Sequence, residues 1–236
     1  MDKRYERHYR LQGMGVAGQE RLSQAKVLVV GVGGLGSAVL YYLAAAGVGT
    51  LGMVDYDRVE VSNLQRQILH STSDLARLKV DSAAEKLQAL NPELQLISYA
   101  EQLTEERARE LFPRYDYVLD CSDNYETKFL INDLCVELAK PYTHAAVLAM
   151  KGEVMTYLPG HANYRDVFAQ APAEGTYPAA SEVGVLGSVV GIVGSIQATE
   201  ALKYFTGLGS LLLDRLLLID GLNMQFVSLK VRQHSV

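Results

Sequence analysis

The stretch Lys26-Val-Leu-Val-Val-Gly-Val-Gly-Gly-Leu-Gly-Ser37 constrains the fold of this chain more than any other. It reads as a short buried strand, a glycine turn and the start of a helix. Such a turn leaves bare backbone N–H groups and the positive end of a helix facing outward, which is the arrangement that holds a phosphate. A nucleotide site near the start of the chain follows. Taken alone, the Gly31-x-Gly33-Gly34-x-Gly36 loop fits an oxidoreductase that recycles a dinucleotide as well as an enzyme that consumes its nucleotide. Asp55 stands about twenty residues further on, where an acid would hold a ribose hydroxyl.

The elements that follow alternate. Leu35–Gly47 reads as a helix stopped by glycine, and Thr50–Asp55 as a strand ending in acid. Leu75–Leu90 is an amphipathic helix terminated at Asn91-Pro92. Leu94–Tyr99, Tyr117–Asp120 and Tyr142–Ala146 read as strands, separated by helices over Thr104–Leu111, with Thr104 as N-cap, and Tyr125–Ala139. This order predicts an α/β fold: a Rossmann-like, mainly parallel sheet with helices on both faces. Ligands of such sheets sit beyond the carboxyl ends of the strands, where strand order reverses. The glycine loop, Asp55 and Asp120-Cys-Ser-Asp-Asn124 all fall at such ends.

The pattern changes after Met150. Glu153–Leu158, Arg215–Ile219 and Gln225–Lys230 read as strands that pair antiparallel at the sheet edge. Residues 159–181 carry three prolines and no clear period, which marks a functional crossover or a loop. Val183–Thr199 is uncharged but glycine-rich, and shorter than the roughly 20 apolar residues of a membrane span. Glycines at spacings of three and four suit a buried helix or a subunit contact. A single domain over 1–236 is expected, with a helical arm at 1–25, a nucleotide-binding core at 26–150, and the crossover, Gly-rich helix and edge strands at 151–236.

Composition excludes several function classes. A net charge of −5 argues against nucleic-acid binding, and a charged Met1–Arg10 against a secretory signal. Two cysteines, Cys121 and Cys135, form neither a disulfide framework nor a zinc tetrad. A cytoplasmic location is the expectation, with no membrane partner.

The segment Val61-Ser-Asn-Leu-Gln-Arg-Gln67, followed by Lys79 at the start of a helix, separates the nucleotide alternatives. A hydride-transfer site needs a flat apolar slot and has no use for these groups beside the phosphates. A triphosphate reacting at its α-phosphate needs Arg and Lys to offset charge developing on the phosphoryl oxygens. In Asp120-Cys-Ser-Asp-Asn124, an acid facing the glycine loop could hold Mg2+ between phosphate oxygens. Asp123 could instead cap the helix that begins near Tyr125.

Together these motifs resemble the ThiF/MoeB/HesA family of E1-like adenylyltransferases, from Arg4-Tyr-Glu-Arg7 to about Lys230. The resemblance implies adenylation of the C-terminal glycine of a small ubiquitin-like sulfur carrier ending in Gly-Gly, with ATP and Mg2+ consumed or bound and pyrophosphate released. Sulfur incorporation of the thiamin or molybdopterin type would follow, carried out by a homodimer. Carried over to this sequence, it implies Gly31, Gly33, Gly34 and Gly36 against the ATP phosphates, Asp55 on the ribose, and Asp57, Ser62, Asn63, Leu64, Gln65 and Arg66 around the nucleotide. Asn63 and Arg66 would contact the phosphates, with Arg66 and Lys79 stabilising the α-phosphate during attack. Asp123 would bind Mg2+ with Asn124 adjacent, and Arg7 would enter across the dimer interface.

The chain also departs from that family. Many members carry two Cys-x-x-Cys pairs for a structural zinc. Here the first place falls at Asn163-Tyr-Arg-Asp166, and the sequence ends at His234-Ser-Val236 without the second. No zinc is expected, because a closed structural site needs four ligands. The crossover stretch Ala179-Ala-Ser-Glu-Val-Gly184 lacks the cysteine some members use to join the carrier covalently. A separate sulfur donor is therefore expected. Cys121 lies beside the nucleotide edge and could in principle react, although cysteine is among the most buried residue types; Cys135 reads as core. The remaining alternatives are adenylation of another carboxylate or of a modified tRNA base, and a nucleotide-binding scaffold without turnover.

Overall fold

The computed structural model describes residues 2–171 and 183–233. Eight strands form one sheet: β1 (Lys26–Val30), β2 (Thr50–Val54), β3 (Gln95–Tyr99), β4 (Tyr117–Asp120), β5 (Tyr142–Leu148), β6 (Lys151–Tyr157), β7 (Arg215–Asp220) and β8 (Gln225–Lys230). Their order is β3-β2-β1-β4-β5-β6-β7-β8. β1 to β5 pair in parallel, and β5 to β8 pair antiparallel. The expected antiparallel tail is thus present on the same sheet. β2 and β4 are buried at every position and β1 at all but Lys26, as continuous apolar strands covered on both faces must be.

Seven α-helices among the described residues accompany the sheet: α1 (Glu6–Tyr9), α2 (Gly15–Gln24), α3 (Gly34–Ala46), α4 (Lys79–Leu90), α5 (Glu105–Leu111), α6 (Tyr125–Glu137) and α7 (Gly187–Thr206). Alternation along the central strands divides the core. Val27, Val29, Leu51, Met53 and Leu119 face α3, α4 and α7. Leu28, Val30 and Val118 face α5 and α6 through Leu111, Phe112, Ile131 and Leu134.

Two helices differ from their sequence expectation. α4 begins at Lys79 rather than at Leu75, because the preceding residues are tied elsewhere. Ala76 adopts φ +66, its N–H donates to Val59 O, and Leu78 bridges to Arg58. α7 begins at Gly187 rather than Val183 and runs on to Thr206, where Gly207 ends it in the left-handed region at φ +74. Its charged Glu200 stays within the helix because a buried partner set receives it: Thr156 Oγ1 and Leu212 N both donate to Oε2. No described helix is long and apolar enough to cross a membrane.

Small residues let α7 lie close on α3. A Cβ at Gly194 would stand 2.8 Å from Leu35 O and 3.0 Å from Ala38 Cβ. The far end of α3 meets the N-terminal arm. Gly47 closes α3 at φ +80, and a Cβ there would stand 2.4 Å from Tyr5 Oη. Asn91 Nδ2 donates to Tyr5 Oη and to Ala44 O, and Gln19 Nε2 donates to Ala46 O, so the last carbonyls of α3 are satisfied there.

Candidate active site

Strand order reverses between β1 and β4: the chain steps from β1 outward to β2 and β3, then returns to the other side of β1. Val30 pairs with Val54 on one side and Asp120 on the other. The residues that follow these three positions, Gly31, Asp55 and Cys121–Asn124, therefore share one crevice.

The glycine loop is fixed from behind. Gly31 adopts φ +97, and a Cβ on it would stand 2.6 Å from Cys121 O. One on Gly36 would stand 2.1 Å from Gly31 O, so only glycine closes this turn. Both Asp55 oxygens are engaged: Oδ2 accepts from Val32 N at 2.7 Å and Oδ1 from Asp57 N at 2.8 Å. The acid predicted to hold a ribose thus also shapes the loop, with lone pairs to spare. No side chain caps α3. The N–H groups of Gly33, Gly34, Leu35 and Gly36 have no hydrogen-bond partner among the described residues, and they stand at a positive helix end.

The cations arrive from two elements. The stem of Arg66 lies over Gly34, with Cγ 3.5 Å from where a Cβ would be, and Nη1 donates to Ser62 O. Asn63 holds its own turn, its Oδ1 accepting from Glu60 N at 3.3 Å. Gln65 turns its carbonyl toward Gly187 at the start of α7, and Leu64 is half-buried beside it. Lys79, the first residue of α4, is buried, and its Nζ meets Asp57 Oδ2 at 2.7 Å. Asp57 is therefore the anchor of Lys79.

The acids after β4 have separate fates. Asp120 is fully buried, with Lys128 Nζ at 3.3 Å, His144 Nδ1 at 2.9 Å and Ser122 donating to it. Asn124, rather than Asp123, caps α6, its Oδ1 accepting from Thr127 N. Asp123 is left exposed, with no side-chain hydrogen bond or ion pair among the described residues. Cys121 is buried, its Sγ 3.4 Å from Gln197 Oε1, and burial pushes its thiol pKa well up, which makes it a poor nucleophile.

Arg7 is not brought to this crevice within one chain. It follows Tyr5 on the arm packed at the far end of α3, and the 13 residues of α3 span about 20 Å.

These groups fit a nucleoside triphosphate: open N–H donors, Arg66 at the loop, a buried Lys79, and a carboxylate without a partner. No group of three or more His, Cys, Asp or Glu among the described residues is placed to hold a metal ion. A magnesium ion that takes most of its ligands from phosphate and water needs no such group. At the place expected for the first zinc pair, Asn163 and Asp166 form a hydrogen-bonded turn and Arg165 pairs with Asp133. Positions 234–236 and most of the crossover stretch 179–184 lie outside the described residues.

A sequence profile of the ThiF family matches residues 5–236. The chain belongs to the ThiF family. Among its relatives, a probable adenylyltransferase/sulfurtransferase, MoeZ of Mycobacterium tuberculosis, is 42% identical over 98% of this chain and 60% of its own length. A sulfur carrier protein adenylyltransferase of Thermus thermophilus is 45% identical over 98% of this chain and 88% of its own. The adenylyltransferase and sulfurtransferase MOCS3 of Sus scrofa is 46% identical over 98% of this chain and 51% of its own. This chain thus spans about half to nine-tenths of these ThiF-family proteins. In fold it is similar to E. coli MccB crystallised with ATP, with TM-score 0.87 at 23% identity, over 99% of this chain and 73% of that one.

The glycine loop, Asp55, Arg66, Lys79 and Asp123 are marked by motifs in the sequence; Gln67, Lys128 and His144 are not singled out by any. Gln67 ends the Val61–Gln67 motif, yet nothing in its spacing marks its side chain as unpaired. Lys128 and His144 sit on separate elements, and only the parallel pairing of β4 with β5 brings them to Asp120.

Proposed function

We propose that this chain is an adenylyltransferase that activates the C-terminal glycine carboxylate of a small ubiquitin-like sulfur carrier ending in Gly-Gly, in the cytoplasm, using ATP and releasing pyrophosphate. The observation that carries the reading is the convergence, at the β1–β4 crevice, of four open N–H groups, Arg66 over Gly34, and the unpartnered Asp123. The relative named as a sulfur carrier protein adenylyltransferase supports a sulfur carrier as substrate; thiamin- or molybdopterin-type sulfur incorporation is the use this reading assigns to it.

In this mechanism the N–H groups of Gly33–Gly36 hold phosphate oxygens, and Asp55 receives a ribose hydroxyl. Gly31 and the Ser62–Gln65 segment shape the walls. The carrier carboxylate is itself the nucleophile, so the chain supplies orientation and charge and needs no side-chain nucleophile. Arg66 and Lys79 offset the charge that builds on the α-phosphoryl oxygens, and Asp57 holds the Lys79 ammonium in place beforehand. Asp123, beside Asn124, would hold Mg2+, which would supply charge neutralisation at the phosphates. Arg7 of the partner subunit completes the cationic set in a homodimer. The described thiols are buried, so sulfur comes from a separate donor.

The test is exchange of labelled pyrophosphate into ATP. It is expected to require a Gly-Gly carrier and to fall at least a hundredfold in Arg66→Ala and Asp123→Ala, the range on the order of 10²–10³ seen on removal of one charge-stabilising group. Absence of exchange with every Gly-Gly carrier overturns the reading.

A further inference from the structure

One polar side chain in the crevice has hydrogen-bonding capacity that the described residues leave unused. Gln67 closes the segment that carries Arg66. Its backbone N–H donates to Asn63 O at 2.9 Å, and its carbonyl accepts from His70 N at 3.0 Å. The residue is 4% exposed. Its side-chain Oε1 is the single buried side-chain N or O atom among the described residues without a hydrogen-bond partner. The Nε2 of the same amide has none among the described residues either. That nitrogen lies against the loop: a Cβ at Gly33 would stand 3.5 Å from it.

The surroundings do not lack partners. His70, three residues on, uses both ring nitrogens, on Ser82 Oγ at 2.9 Å and Val32 O at 3.0 Å. Leaving a buried amide unpaired destabilises a fold, and native structures keep few such groups. The exception here is the amide that borders Gly33, where the open N–H groups of the loop begin.

We propose that Gln67 is a nucleotide-binding residue whose side-chain amide is completed only when ATP enters. Its Nε2–H donates to a phosphate oxygen held over Gly33, and Oε1 accepts from water brought in with the phosphates. The inference rests on the crevice being an ATP site, and it adds a neutral donor to the cations already described. A neutral donor suits this position, since an amide reads a phosphate oxygen without adding a charge that the empty site must bury.

The experiment compares wild type with Gln67→Leu, which keeps most of the side-chain volume and removes the polar atoms. Two quantities are measured: the thermal midpoint without nucleotide, and the affinities for ATP and for adenosine by calorimetry. The expected result is an unchanged or higher midpoint, ATP affinity down about tenfold or more, as for a hydrogen bond to a charged group, and adenosine affinity unchanged. If Gln67→Leu does not fold, Gln67→Glu serves, because it keeps every heavy-atom position and sets a carboxylate against the phosphates. Its ATP affinity is then expected to fall further, again without loss of adenosine. ATP affinity equal to wild type in the variant overturns the role of Gln67 and leaves the ATP site standing. Equal loss for ATP and adenosine, with a lowered midpoint, also overturns it, because that is a packing defect. Wild type that binds no ATP overturns both this inference and the proposed function.

Discussion

Asp120 has no contact with solvent, yet it keeps its charge. Burial pushes its pKa up, but the Lys128 ammonium, then the His144 hydrogen bond and the Ser122 donors outweigh burial and hold it down to about 2. A lowered carboxylate pKa stabilises the fold above the ordinary value near 4 and stops doing so as pH falls through about 2. Lys128→Met leaves the carboxylate without its cation, so we expect a loss of about 3–5 kcal/mol at pH 7, shrinking toward pH 4 as Asp120 takes up a proton. Urea unfolding at the two pH values measures this, and an equal loss at both would refute it. The double variant Asp120→Asn, Lys128→Met is expected to lose less than Lys128→Met alone. The sequence marked the Asp120–Asn124 run as chemical but left open which acid does what. The division of labour depends on Lys128 and His144, which only folding brings close.

At the scale of elements, apolar runs made the strands legible, and β4 and β8 begin and end where their sequences say. Helix starts were harder, because long-range pairs decide them: α4 loses its first four expected residues to the pairing of 58–59 with 76–78. The turn at residues 163–166 was legible as a departure and illegible as a structure. Arg165 forks onto both oxygens of Asp133 on α6 at 2.6 and 2.7 Å, donates to Ala169 O, and lies 4.7 Å from the Phe129 ring centroid. An ionic fork therefore joins the start of the crossover to α6. We expect chelators to leave the thermal midpoint unchanged. Arg165→Ala is expected to cost about 1 kcal/mol, within the range for exposed pairs with an added cation–π contact, and to lower the midpoint by about 2–4 °C. Calorimetry with and without chelator checks both, and a chelator-sensitive midpoint would contradict this account of the turn.

At the scale of the molecule, the arm and the crevice lie at opposite ends of α3, so in the proposed homodimer Arg7 would serve the crevice of the other copy. Mixing inactive Arg7→Ala and Arg66→Ala dimers is expected to restore exchange activity to roughly a quarter of the wild-type value once subunits have traded, since half of the dimers then hold one intact site. A mixture that stays inactive after verified subunit exchange would show that Arg7 acts within its own chain or not at all. The sheet order has a further consequence for synthesis. The loop, Arg66, Lys79 and Asp123 all precede residue 125, yet Gly187 and Val190 of α7 form the wall behind Gln65 and Gly34. A growing chain on the ribosome thus carries every group proposed to face the phosphates long before it carries the wall that holds them in place. Nascent chains shorter than about 206 residues plus those still in the exit tunnel would lack a finished cradle, and ATP capture would report that translation has passed α7.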